Sequence, residues 1–256
     1  MLVACDIGNT NIVMALFDGE KFIDSFRVYT DTKKTSDEYF VIFNALFRES
    51  GIRSSMVDNA IISSVVPNMT RSVEKNIQRL FGIKPLTITH DVKTGLVRSS
   101  IPSELGTDIL SNLAYAHYKK PDQNVMVVDF GTALTLSAVN RKGEVLGCAI
   151  APGLITAVNA LFGNTAQLPQ VELKLPQVAM GRDSQQSIRS GIMLGFSGLV
   201  DSIIRKTEEE TGEKLYVIAT GGLSQTISPL IERLDEIDGL HTLKGLALIS
   251  SLNLPQ

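Results

Sequence analysis

Two aspartates stand in the same local setting, far apart in the chain. "VACDIGNTNIVMALFDG" puts Asp6 at the end of an apolar run, with Gly8 two residues on and Asn9, Thr10 and Asn11 in the turn that follows. "NVMVVDFGTALTLSAV" repeats the arrangement with Asp129, Gly131 and Thr132. A carboxylate at the carboxyl end of a buried strand lies where open α/β sheets bind ligands. A glycine there lets the backbone approach a ligand closely. Small polar side chains and backbone amides in such a turn can hold phosphate oxygens, while the carboxylate takes a metal ion or its water. A third glycine turn, Thr220-Gly221-Gly222, closes the strand-like "KLYVIATGG" and opens a helix at Ser224. That suits an adenosine, or a phosphate at a helix N-terminus. Two Asp-Gly turns facing each other across a cleft would clamp a triphosphate from both sides. One such turn alone is commonly a plain hairpin. Three glycine turns at strand ends, two of them related by a repeat, favour the nucleotide reading.

The elements that must position these turns are legible from periodicity. Residues 2–7 and 11–17 read as strands, with Asp18-Gly19 as a second turn signal and "FIDSFRVYT" as a third strand. Thr35 and Glu38 have capping-box spacing ahead of an apolar stripe, and Gly51 terminates that helix. "NAIISSVVP" reads as a buried strand, 69–81 as a helix ending at Gly82, and "PLTIT" as a short strand. Ser103 is placed to cap a helix from about 104 to 119. From 124 the opening pattern returns: strand, Asp129, turn, strand, "RKG" turn, strand. Asp6 and Asp129 are 123 positions apart, close to half of the 256 residues. This reads as an internal duplication, two α/β halves over 1–120 and 121–256, each opening with a strand–turn–strand unit. The second half continues with a helix near 154–162, a long helix near 184–211, the strand "KLYVIATGG", and helices to the end.

Composition excludes several classes. Hydrophobic residues make up 44% and charged residues 20%, enough for a full core. The net charge of −3, with no basic block, speaks against nucleic acid or an anionic membrane as partner. The start lacks the basic region of a signal peptide, and no apolar run approaches the ~20 residues of a membrane span. Cys5 and Cys148 each lie in a strand-like run and read as buried thiols, which fits a cytoplasmic home. His90, His117 and His241 show no ligand spacing with them. "DFG" is not preceded by "HRD", no GxGxxG opens the chain, and no GxxxxGK[ST] occurs, so neither a protein kinase nor a P-loop site is indicated.

The duplicated pattern resembles the acetate and sugar kinase/Hsp70/actin superfamily, which implies duplicated ribonuclease H-like (actin-like ATPase) domains with a cleft between them. More closely, the chain resembles the type III pantothenate kinases. The resemblance runs through "DIGNTN", "ISSVVP", "LG-D" at 105–108, "VVDFGTALT", "APGL", "LP-VEL" at 168–173, "IRSG" at 188–191, "ATGGLS" and "HTLKGLALI". It implies transfer of the γ-phosphate of ATP to pantothenate, giving 4'-phosphopantothenate, the first step toward coenzyme A. By position, Asp6, Ile7, Gly8, Asn9, Thr10, Asn11, Ile12 and Val13 form the first phosphate turn, with Thr132 in the second and Gly221 and Gly222 in the third. Asp129 matches a ligand for a monovalent cation (K+ or NH4+), and Asp6 could hold Mg2+. Gly106, Thr107, Asp108 and Ile109 match the acceptor motif, with Asp108 as general base. Ser184 falls where the family has a Thr that helps hold pantothenate from a dimer interface, so a homodimer is implied. The long helix, with Ile188, Met193, Leu199 and Ile203 along one face, is the candidate dimer surface, although the same stripe would serve as ordinary core.

Read from the residues alone, Asp108 lies in the first turn of its helix beside the stripe Leu105, Ile109, Leu113 and Ala116. The helix N-terminus favours its ionised form by ~0.3–1 kcal/mol, as a base requires. The family motif is Gly-x-Asp-Arg, and here Ile109 replaces the Arg. The family also has a Tyr and an Asn shortly before the Pro that precedes this helix; here the stretch is Ser99-Ser100-Ile101-Pro102, with Ser99 in place of the Tyr. Three readings follow: a pantothenate kinase whose acceptor site uses other cations such as Arg98, Arg182 or Arg189, a kinase for another small hydroxyl compound, and a nucleotide-binding paralogue with a regulatory role. Pantothenate-dependent ATP turnover separates the first from the others.

Overall fold

The computed structural model describes residues 1–163 and 171–254. Of the family-like segment "LP-VEL", Leu168 and Pro169 lie outside the described residues. The chain forms two compact units.

In the first unit, β1 (Leu2–Ile7) is apolar on both faces and takes the centre of a five-stranded sheet. β2 (Asn11–Asp18) returns antiparallel to it, with Ile7 opposite Ile12 and Asp6 opposite Val13, and β3 (Lys21–Tyr29) pairs antiparallel outside β2. α1 (Ser36–Glu49) starts with the expected capping box: the Thr35 hydroxyl accepts from Glu38 N–H at 3.3 Å, and the Glu38 carboxylate accepts from Thr35 N–H at 2.7 Å. β4 (Asn59–Ser64) runs parallel to β1, α2 (Pro67–Phe81) follows, and β5 (Leu86–Thr87) is the edge. α1 and α2 bring Tyr39, Phe43, Val73 and Ile77 down on Val3, Cys5, Ile7 and Ile62 to make the core. Most of α3 (Thr107–Lys119) and of α7 (His241–Asn253) also belongs to this unit.

The second unit repeats the plan. β6 (Asn124–Phe130) is central, β7 (Ala133–Val139) and β8 (Val145–Pro152) follow as antiparallel neighbours, and α4 (Leu154–Gly163) and α5 (Ser184–Thr211) come next. β9 (Leu215–Thr220) lies parallel to β6, a single helical turn α6 (Ser224–Ile227) follows, and β10 (Glu236–Ile237) closes the edge. The strand orders are β3-β2-β1-β4-β5 and β8-β7-β6-β9-β10, so the two sheets have the same topology and the same parallel and antiparallel pairs. Each unit is a ribonuclease H-like domain, and the chain is the duplication its two Asp-Gly turns suggest.

Several expectations need correction. α3 starts at Thr107, not at 104, because Pro102–Leu105 folds as a turn in which Leu105 N–H donates to the Pro102 carbonyl at 3.1 Å, and Ser103 caps nothing. Cys148 is exposed on edge strand β8, whereas Cys5 is buried. Burial, with the Asp6 carboxylate beside it, pushes the Cys5 thiol well up. The tail holds β10 as well as helices. On α5, Ile188 and Met193 are core, with Val200 and Ile204 beside them, and Leu199 and Ile203 pack against that core. The proposed dimer stripe is therefore inward-facing. α5 is also, by length and composition, one helix long and apolar enough to cross a membrane. Counting uninterrupted apolar residues misses it; Met193, Val200 and Ile204 pack on β6 and β9, while 28% of its most apolar stretch is buried.

Candidate active site

The first turn is anchored from below on both sides. Ile7 and Ile12 are buried, so these two positions fix the ends of the turn and can offer a ligand only their backbone. Between them, Gly8 N–H donates to the Asn11 carbonyl at 2.9 Å. Thr30, just beyond β3, closes the turn from the other side. Its N–H donates to the Thr10 carbonyl at 2.8 Å and its hydroxyl to the Gly8 carbonyl at 2.7 Å. Asn9 stands exposed at the tip. Thr30 is buried and is a site residue that sequence reading missed. A β-branched hydroxyl residue ending the third strand was the available signal, but nothing local connects it to residue 8.

Asp6 faces Ser63 across the parallel β1–β4 pairing. Ser63 is fully buried, and its hydroxyl lies 3.0 Å from the Thr107 hydroxyl at the start of α3. The first turn and the aspartate of α3 are thereby brought to one end of one sheet. Asp108 folds back on its own helix start: its Oδ1 accepts from Ile109 N–H at 2.8 Å. A side chain at Gly106 would place its Cβ 2.5 Å from that oxygen, so any other residue there would displace the carboxylate from this position. Burial pushes the Asp108 carboxyl above its ordinary value and outweighs the backbone donors at Ile109 and at Asp108 itself, which pull it down. The helix start therefore lowers the cost of charge here without removing it. The Ile109 side chain turns into the core at 5% exposure, and its contribution to the site is its N–H.

In the second unit, the second and third turns converge on Asp129. Asp129 pairs with Thr135 on β7 and Thr220 on β9. A Cβ at Gly221, whose φ is +88°, would lie 2.5 Å from Asp129 Oδ1 and 2.7 Å from the Phe130 backbone. A Cβ at Gly131 would lie 3.3 Å from the same oxygen. The Thr132 carbonyl accepts from Gly153 N–H at 3.0 Å and from the Thr156 hydroxyl at 2.8 Å, so the start of α4 holds this turn. Gly222 is exposed. The helix after it is one turn long, too short for a macrodipole, and the helix-end argument for a phosphate there falls. Ser224 instead donates to the Gly221 carbonyl at 2.7 Å and stiffens the turn. Ser184 is exposed at the start of α5, whose N-cap is Asp183 accepting from Gln186 N–H at 2.8 Å. Among the described residues no group of three or more His, Cys, Asp or Glu side chains forms a metal cluster. What is present is one carboxylate in each unit at a glycine turn, a hard oxygen donor of the kind that Mg2+ and K+ take.

Residues 2–206 match the family of type III pantothenate kinases. A type III pantothenate kinase from Geobacter sulfurreducens is 40% identical over 254 residues, covering 99% of both chains. Among solved structures, a candidate Baf-family transcriptional activator from Campylobacter jejuni superposes with a TM-score of 0.60 at 17% identity, covering 98% of each chain. A candidate N-acetylglucosamine kinase from Porphyromonas gingivalis superposes with a TM-score of 0.56 at 10% identity, covering 99% of each chain. These two share the fold.

Proposed function

The chain belongs to the type III pantothenate kinase family, and from that premise we propose that it transfers the γ-phosphoryl group of ATP to the hydroxyl of pantothenate, with Asp108 as the general base. Asp108 takes the proton of the acceptor hydroxyl as the oxygen bonds to the γ-phosphorus, and ADP leaves. A carboxylate whose proton affinity is raised by burial suits this task better than an ordinary surface aspartate, because a base is most effective near the working pH. The backbone from Asp6 to Val13, with the side chains of Asn9, Thr10 and Asn11, holds phosphate oxygens in the first unit, and Thr132, Gly221 and Gly222 serve the nucleotide in the second. Asp6 would hold Mg2+ and Asp129 the monovalent cation. Both assignments fit the residues present, since each carboxylate sits at a close backbone turn, and the Gly221 backbone approaches Asp129 so closely that a Cβ there would lie 2.5 Å from its Oδ1. When bound, the divalent ion neutralises charge on the phosphates.

The protein is read as cytoplasmic and as a homodimer. With the inward face of α5 committed to the core, support for a dimer comes from the apolar residues left outside. Among them are Leu146 and Ile150 on β8, Ile155 and Leu161 on α4, and Leu194 on α5. Ser184 would act on pantothenate from such an interface. The observation that carries the functional reading is 40% identity across 99% of both chains. ADP release measured with and without pantothenate in potassium buffer, with the phosphorylated product identified by mass, tests it. Turnover that ignores pantothenate, or that responds only to other alcohols, would overturn it.

A further inference from the structure

We propose that Thr107 is a positioning residue that ties the start of α3, and with it Asp108, to the end of β4, and that it does not contact the acceptor. The inference rests on the reading of Asp108 as the base. A threonine hydroxyl has one proton to give and two lone pairs. At Thr107 all three are taken. The hydroxyl accepts from Ser64 N–H at 3.0 Å, lies 3.2 Å from the Ser64 carbonyl to which it donates, and lies 3.0 Å from the Ser63 hydroxyl, which is left to donate. A hydrogen bond to a substrate would have to break one of these. The anchor it grips is itself fixed. The Ser64 hydroxyl accepts from Val66 N–H at 3.1 Å and from the Thr70 hydroxyl at 2.8 Å, which locks the end of β4 to the start of α2. Ser63 is fully buried opposite Asp6. One side chain thus sets the distance between the carboxylate of the next residue and the strand ends that carry the first phosphate turn. Gly106 on the other side has no side chain with which to share that work.

Thr107→Val keeps the shape and removes the hydroxyl. The expected result is a kcat lower by about 10- to 100-fold, the scale of a misplacement of about 1 Å at the reacting groups. KM for both pantothenate and ATP should stay within about twofold, since no ground-state contact is lost. The acidic limb of the kcat profile should move as the surroundings of Asp108 loosen, and Thr107→Ser should restore both. A rise of tenfold or more in the pantothenate KM with kcat kept would make Thr107 an acceptor contact and overturn the proposal, as would an unchanged kcat. Asp108→Asn is measured alongside. If it keeps wild-type turnover, the base assignment fails and takes this inference with it. If it is inactive while Thr107→Val is normal, only the role of Thr107 fails. Should Thr107→Val not fold, Ser63→Ala removes one of the three partners. It should lower kcat severalfold at constant KM, and a raised pantothenate KM there would overturn the proposal equally.

Discussion

The carboxylate of Asp108 is less solvated than its place at a helix start requires, and the two effects oppose each other. Because burial raises its folded-state proton affinity, the stability tied to this group is full below the ordinary Asp range and is lost as pH rises through the raised value. At neutral pH the ionised group therefore costs stability. Asp108→Asn keeps an oxygen to accept from Ile109 N–H and removes the charge. Its melting temperature at pH 7 should equal or exceed that of the wild type, and the difference should shrink as pH falls toward the ordinary Asp range. A clearly lower melting temperature at pH 7 would contradict the balance described. Ile109 poses the opposite case. This side chain is core, so Ile109→Arg must bury an uncompensated charge. A loss of about 3–5 kcal/mol in urea unfolding is expected, with no gain in pantothenate affinity by calorimetry. The apolar stripe of α3 was readable because Ile109, Leu113 and Ala116 recur at helical spacing, and all three are buried, as is Leu105 in the turn before the helix. The helix start was not, because a good capping residue at Ser103 is overridden by the turn that Pro102 begins.

At the scale of elements, the strand–turn–strand units were the most legible part of the chain, since each alternates sharply between apolar run and small polar turn. What closes the turns was not legible. Thr30 reaches back 22 positions to Gly8, and Gly221 meets Asp129 across two strands. Such contacts leave no local pattern. β10 was missed for a simpler reason, as two residues carry no periodicity. The end of α5 shows another long-range tie. Glu208 accepts from Lys214 at 2.9 Å, from Leu215 N–H at 3.0 Å, and from both terminal nitrogens of Arg233 at 3.1 and 2.5 Å. Burial alone would raise its carboxyl, but these donors, Arg233 first, hold it at about 2. A folded value below the ordinary one gives stability that is present above the ordinary Glu range and is lost as pH falls through it toward about 2. Glu208→Gln should be less stable than wild type at pH 7 and should lose less on acidification to pH 3. Parallel melting curves across that range check this, and parallel losses in the two proteins would contradict it.

For the whole molecule, two sheets with one topology turn a single local solution, a carboxylate at a strand end beside a close turn, into two copies. The repeat at half-chain spacing makes this legible in the sequence itself. The division into units was harder to read, since most of the last helix returns to the first unit, and an amphipathic pattern does not say which sheet a helix covers. Light scattering at micromolar concentration should give twice the mass of the 27.8 kDa chain. Replacing exposed Ile150 by Lys should shift it toward the monomer, and a monomeric wild type would remove Ser184 from any shared acceptor site. The central claim is that this chain phosphorylates pantothenate through Asp108. The measurement that meets it most directly is single-turnover formation of phosphopantothenate by wild type and Asp108→Asn, each preloaded with saturating Mg-ATP. A rate reduced by about 10²–10⁴-fold with ATP affinity retained is the predicted result. A variant that keeps more than about a third of the wild-type rate, far outside that range, would contradict it.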